Sequence, residues 1–100
     1  MDRDLKWFAM PVAEQLANVG GEVGRAIRWK ARGDAQKSRN FCDKAIEFLE
    51  LSVRDPKNKH RVGELINAEE ELKDYFFGEN MFGTTDEALM KYYDAFLQRI

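Results

Sequence analysis

Apolar residues recur at helical spacing along most of the chain, and the widest stripe lies in Ala35–Val53, AQKSRNFCDKAIEFLELSV. Cys42, Ile46, Leu49 and Val53 form one row there, and Phe41, Ala45, Phe48 and Ser52 form a second beside it. Two adjacent rows make a stripe wider than one partner helix covers, so this segment is predicted to be a central helix touching at least two others. Before it, Val12, Leu16, Val19, Val23 and Ile27 keep one phase from Pro11 to about Ala31. That phase runs unbroken through Gly20-Gly21 and predicts a single helix, with Pro11 in its first turn. Ala13, Ala17, Gly20 and Gly24 form a row of small residues along the same segment, which would let another helix backbone approach closely, within the fold or across a dimer seam. The aromatics ahead of Pro11, Trp7 and Phe8, are expected to fold back onto the core.

Punctuation marks the remaining boundaries. Gly33 is the expected left-handed cap of the first helix and Asp34 the N-cap of the second, which makes the two antiparallel neighbours. Asp55-Pro56 ends the second helix, because the residue before proline is pushed out of the α region. A third helix is predicted from about Lys59 to Phe77, capped by Asn58 and ended by Gly78, with Val62, Leu65, Ile66, Ala68, Leu72, Tyr75 and Phe76 on its apolar face. GENMFG forms the last connection, with Met81 and Phe82 placed to plug an end of the core. Thr84-x-x-Glu87 reads as a capping box for a fourth helix whose stripe is Leu89, Tyr92, Tyr93, Phe96, Leu97 and Ile100. The expected fold is all-α: a single antiparallel four-helix bundle, residues 11–31, 35–54, 59–77 and 85–99, filling one domain over residues 1–100.

Composition agrees with that picture. One hundred residues, 44% hydrophobic with 12% aromatic, suit one domain that hides roughly two thirds of its unfolded surface. No segment has the length and apolarity of a signal peptide or membrane span, so a cytoplasmic location without membrane contact is expected. Cys42 is the only cysteine and falls on the central stripe, which points to a buried, reduced thiol rather than a nucleophile.

Charge is unevenly shared. Residues 1–63 carry 13 Lys/Arg and 9 Asp/Glu, a net of +4, whereas residues 64–100 carry 3 and 9, a net of −6. Arg25, Arg28, Lys30, Arg32, Lys37, Arg39 and Lys44 gather around the connection between the first two helices. Such a cluster fits either phosphates or acids on a neighbouring helix or second subunit. Glu69 interrupts the third helix's apolar face, and an arginine of the first or second helix is its expected partner, because unpaired burial of a carboxylate is costly. Glu70, Glu71 and Asp74 read as a solvated face.

Chemistry-bearing constellations are sparse. GGEVG lacks the Lys-Ser/Thr and the preceding strand of a phosphate-binding loop. Carboxylate-bridged metal sites in bundles need Glu-x-x-His pairs on facing helices, which a chain with one histidine does not supply. No metal or cofactor is expected.

KWFAMPVAEQLANVGGEVGRAIRWKARGD and AIEFLELSVRDPKNKHR resemble a group of uncharacterised small helical bacterial proteins of about this length. That resemblance implies a bacterial cytoplasmic protein and supplies no activity. Gly33, Asp34, Ala45, Ile46, Asp55, Pro56 and Asn58 echo one tetratricopeptide repeat, but the motif occurs once and the second helix is too long, so no solenoid is expected. Arg54 and His60, separated by five residues, are similar to the Arg-x(4 to 6)-His motif of HEPN ribonucleases, where that resemblance implies RNA cleavage by two subunits. The preferred functional expectation is a non-catalytic protein-interaction module that forms a homodimer or binds another protein. Its alternative is a HEPN-like RNA-binding or RNA-cleaving protein using Arg54, His60 and the basic cluster.

Overall fold

The computed structural model describes residues 2–100, and every regular element among them is helical. Five α-helices run α1 (Asp2–Ala9), α2 (Val12–Ala31), α3 (Ala35–Arg54), α4 (Val62–Phe76) and α5 (Asp86–Leu97), with a 3₁₀ helix at Pro56–Arg61. The four segments predicted from the periodicity are present, but the count of four helices is corrected to five by α1. That helix exists because Trp7 gives it an anchor: the indole is 4% exposed, stacks on Phe48 with ring centroids 4.5 Å apart, and donates from Nε1 to Ser52 Oγ at 3.0 Å.

α3 is the central element. α1, α2 and α4 all pack on it, and α5 packs on α2. Leu16, Val19, Val23 and Ala26 of α2 join Cys42, Ala45, Ile46 and Leu49 of α3, Leu65, Ala68 and Leu72 of α4, and Leu89, Tyr93 and Phe96 of α5 in one buried cluster. Leu16, Leu49, Leu72 and Phe96, one from each of α2 to α5, all belong to this cluster, and half-buried Phe48 packs against it. Cys42 is fully buried, and burial pushes its thiol up to about 12.

α2 passes through Gly20-Gly21 without a break, and α5 accounts for the first of these glycines. A Cβ added to Gly20 would lie 2.5 Å from Tyr93 Cβ, closer than two carbons can sit. Gly24 faces Met90 in the same groove, where an added Cβ would lie 3.6 Å from the methionine's terminal methyl carbon. The small-residue row is therefore occupied by α5 of the same chain at these two positions.

The α2–α3 connection matches its expectation. Gly33 has φ +81°, and Asp34 Oδ1 accepts from Lys37 N at 3.0 Å. Two other boundaries are corrected. α4 starts at Val62, not Lys59, because Pro56 opens a 3₁₀ helix whose N-cap is Asp55, accepting from Lys57 N at 3.1 Å. Asn58 is consequently no helix cap but a buried residue of that turn. The cap of α5 is Thr85, whose side chain accepts from Ala88 N at 3.1 Å; Thr84 instead donates to Glu71 Oε2 at 2.6 Å.

Candidate functional site

Around Asn58 the chain builds a buried polar junction of four elements. The Gln15 amide nitrogen donates to Trp7 O at 2.9 Å and to Asp55 Oδ2 at 2.8 Å, while Gln15 Oε1 accepts from Asn58 Nδ2 at 2.8 Å. Asn58 Nδ2 also donates to Ser52 O at 3.0 Å. Lys57 Nζ pairs with the Asp55 carboxylate and donates to Phe8 O at 2.8 Å, closing the junction toward solvent. Burial pushes the Asp55 carboxyl up, but donors from Lys57 and Gln15 outweigh it and leave the group below the usual carboxylate range. No buried side-chain nitrogen or oxygen among the described residues lacks a partner, and the junction locks α1, α2, α3 and the 3₁₀ helix together.

Arg54 and His60 are neighbours of this junction in sequence, and both are exposed. Arg54 ends α3 with Nη2 3.9 Å from Asp4 Oδ2, and it lines an open groove of about 470 Å³ with Arg3, Glu47, Glu50, Val53, Ile66 and Glu69. His60 is exposed on the 3₁₀ helix, and it is not one of the residues lining that groove. Among the described residues its imidazole makes no hydrogen bond or ion pair that would orient it as a base.

The groove places Glu50 of α3 against Glu69 of α4. The predicted arginine partner of Glu69 is corrected: Lys73, one turn further along α4, lies 2.8 Å from Glu69 Oε2. A lysine four residues on is already in reach, whereas the arginine bordering this groove from α3, Arg54, pairs with Asp4. Burial and the neighbouring Glu69 hold the Glu50 carboxyl above its ordinary value, and the hydrogen bond and charge of Glu69 hold Lys73 up.

At the opposite end of α4, the last connection departs most from expectation. Met81 and Phe82 do not plug the core; they are 82% and 51% exposed, beside Phe77 at 44%. The backbone of this loop is nevertheless tightly held. Asp74 Oδ1 and Oδ2 accept from Met81 N at 2.7 Å and Phe82 N at 2.9 Å. Asn80, in the left-handed region at φ +56°, donates to Thr84 O and accepts from Thr84 N at 2.9 and 2.8 Å. Asp74 and Glu71 are thus anchors of the loop, not a merely solvated face.

The basic cluster meets the C-terminal end of α4 through Lys30 and Arg39. Arg25 pairs with Glu22, but Arg28, Lys30, Arg32, Lys37 and Arg39 have no carboxylate within ion-pair distance among the described residues. Several rest on aromatic faces instead. Lys37 Nζ is 4.2 Å and the Arg32 guanidinium 5.0 Å from the centre of the Trp29 ring, Lys30 Nζ is 4.0 Å from that of Tyr75, and the Arg39 guanidinium is 6.0 Å from that of Phe77.

The exposed loop and the basic edge are the two surfaces that sequence reasoning left incomplete. The basic cluster is visible as composition, but its aromatic partners Tyr75 and Phe77 come from α4 and its C-cap. The Asp74 anchor carries the one usable signal, a carboxylate near a helix end ahead of a Gly-Glu-Asn turn. Comparison with profiles of known protein families, with curated proteins and with solved structures gave no match. No helix among the described residues is long and apolar enough to cross a membrane.

Proposed function

We propose that the protein is a non-catalytic interaction module of the bacterial cytoplasm, an antiparallel bundle of α2–α5 strapped by α1, that pairs with a second copy of itself through the α4–α5 loop. The observation that carries this reading is the combination of a fixed backbone with outward apolar side chains at Phe77, Met81 and Phe82. A loop already ordered by Asp74 and Asn80 loses little conformational freedom on binding, which is the usual obstacle for an exposed loop. Large apolar side chains shown at a rigid tip are the common form of an interface centre.

A second copy is the occupant for two reasons. Two-fold pairing sets one apolar tip against an identical one, so neither needs a further partner to leave water. Glu79 within the loop and Arg39 over Phe77 flank each tip with opposite charges, and a two-fold axis brings the acid of one protomer toward the base of the other. Other surfaces that favoured pairing in the sequence, Trp7 and the Gly20/Gly24 row, are covered within the chain.

Light scattering at concentrations from about ten to several hundred micromolar tests the reading. Dimer mass is expected for the native chain, shifting to monomer in Met81→Asp/Phe82→Asp with unchanged helical content. A native chain monomeric throughout that range, or a dimer indifferent to the double substitution, overturns it.

A further inference from the structure

We propose that the α2–α3 turn is a binding surface for single-stranded nucleic acid, formed by Arg28, Trp29, Lys30, Arg32 and Lys37, and separate from the α4–α5 loop.

Local charge is the first ground. Between Val23 and Cys42 the chain carries Arg25, Arg28, Lys30, Arg32, Lys37 and Arg39 and one carboxylate, Asp34, in a protein whose net charge is −2; Arg25 is taken by Glu22, and the other five cations have no ion pair among the described residues. Asp34 is engaged as the α3 N-cap, and its Oδ1 accepts from Lys37 N. The surface therefore stays basic although the protein as a whole would repel a polyanion, and such local fields drive phosphate binding.

The second ground is the interleaving of these cations with rings. Trp29 is half-buried on α2, with Lys37 and Arg32 at its face, and Lys30 rests on Tyr75. Cations interleaved with aromatic rings suit a single strand, because bases stack on rings and on guanidinium planes while ammonium groups meet phosphates; a base reaches Trp29 by displacing the Lys37 or Arg32 side chain that rests on it. An acidic peptide would use the charges and leave the indole without a role. A duplex hides the base faces that Trp29 would stack on, and the α2–α3 connection is a short turn that presents no free helix to a groove.

The test uses fluorescein-labelled 12-mers of uridine and of thymidine, with anisotropy measured against the full chain at 50 mM and 200 mM salt. Tryptophan emission is followed in parallel with unlabelled oligomers; Trp7 is buried, so contact quenching by a stacked base reports Trp29. Micromolar binding at low salt is expected, weakening roughly twentyfold at the higher salt if about three phosphates are neutralised. Tryptophan emission should fall in step with the anisotropy. Arg32→Glu/Lys37→Glu, both exposed positions, should weaken binding at least tenfold with unchanged circular dichroism, whereas Met81→Asp/Phe82→Asp should leave it intact even where the dimer is lost. Absent binding at 50 mM salt and one hundred micromolar protein overturns the proposal. So does a 12-residue polyglutamate that competes equally, or binding with no change at Trp29, since either identifies a surface for polyanions in general. Equal affinity for the two oligomers supports single-strand recognition without a sugar contact, and preference for uridine supports one that includes the 2′-hydroxyl.

Discussion

Gln15 Nε2 lies 2.8 Å from Asp55 Oδ2, joining the first turn of α2 to the C-cap of α3, forty positions later. Both side chains are buried, and the same amide nitrogen also holds the carbonyl of Trp7. Gln15→Met keeps length and volume but removes the donor to Trp7 and Asp55 and the acceptor for Asn58. Each buried partner left unmet costs about 1–3 kcal/mol, so the loss in urea unfolding should exceed about 2 kcal/mol. A loss below about 1 kcal/mol would place the lock elsewhere.

The Asp55 carboxyl titrates below its ordinary value of 3.8 in the folded chain, so the unfolded chain binds its proton more readily. Its contribution to stability is complete above 3.8 and is lost as pH falls through the folded value. Asp55→Asn should accordingly lower the thermal midpoint at pH 7 and flatten the acid side of the stability curve, with the two proteins converging in strong acid. Parallel curves at all pH values would remove Asp55 from the acid response.

Much of this fold was legible because its signals are local. The phase of Leu16, Val19 and Val23, the Gly33-Asp34 turn and the Asp55-Pro56 stop all depend on neighbours within a turn or two. The corrections fall where a side chain answers to something distant. Gln15 stands three residues after Val12 and four before Val19, so it lies on the apolar row, but its acceptors Trp7 and Asp55 cannot be paired from spacing alone. Met81 and Phe82 carry core-type side chains, yet Asp74 captures their amides and fixes the loop outside the core. Of the two candidate surfaces, the basic residues could be read from composition, whereas the rings that meet Lys30 and Arg39, Tyr75 of α4 and Phe77 at its C-cap, could not.

Glu50 responds to pH with the opposite sign. Burial and Glu69 raise its folded value above the ordinary 4.5, so between 4.5 and that value the folded chain binds more protons than the unfolded one. Stability from this group therefore falls as pH rises through that window. Glu50→Gln retains a polar contact to Glu69 without the second charge, and it should raise the thermal midpoint at pH 7 while leaving it unchanged near pH 4. An equal midpoint at pH 7 would mean that Lys73 already neutralises the pair.

Two neighbouring glycines of α2 should respond to alanine in opposite directions. At Gly20 a new Cβ would sit 2.5 Å from Tyr93 Cβ and 3.3 Å from its ring, and neither atom is the far end of a flexible chain. Helix α5 must then move away from α2, with an overpacking cost of about 1–3 kcal/mol. Gly21 is exposed, and its nearest neighbour is the Arg25 guanidinium at 3.5 Å, an ordinary van der Waals contact. Alanine there only removes the backbone freedom of an interior helical glycine, a gain of about 0.5–1 kcal/mol. Urea midpoints of the two variants should lie on either side of the native chain. If Gly20→Ala were neutral, the close approach of α2 and α5 at Tyr93 would be absent in solution; if Gly21→Ala destabilised as strongly, the α2 face opposite Tyr93 would have a partner of its own.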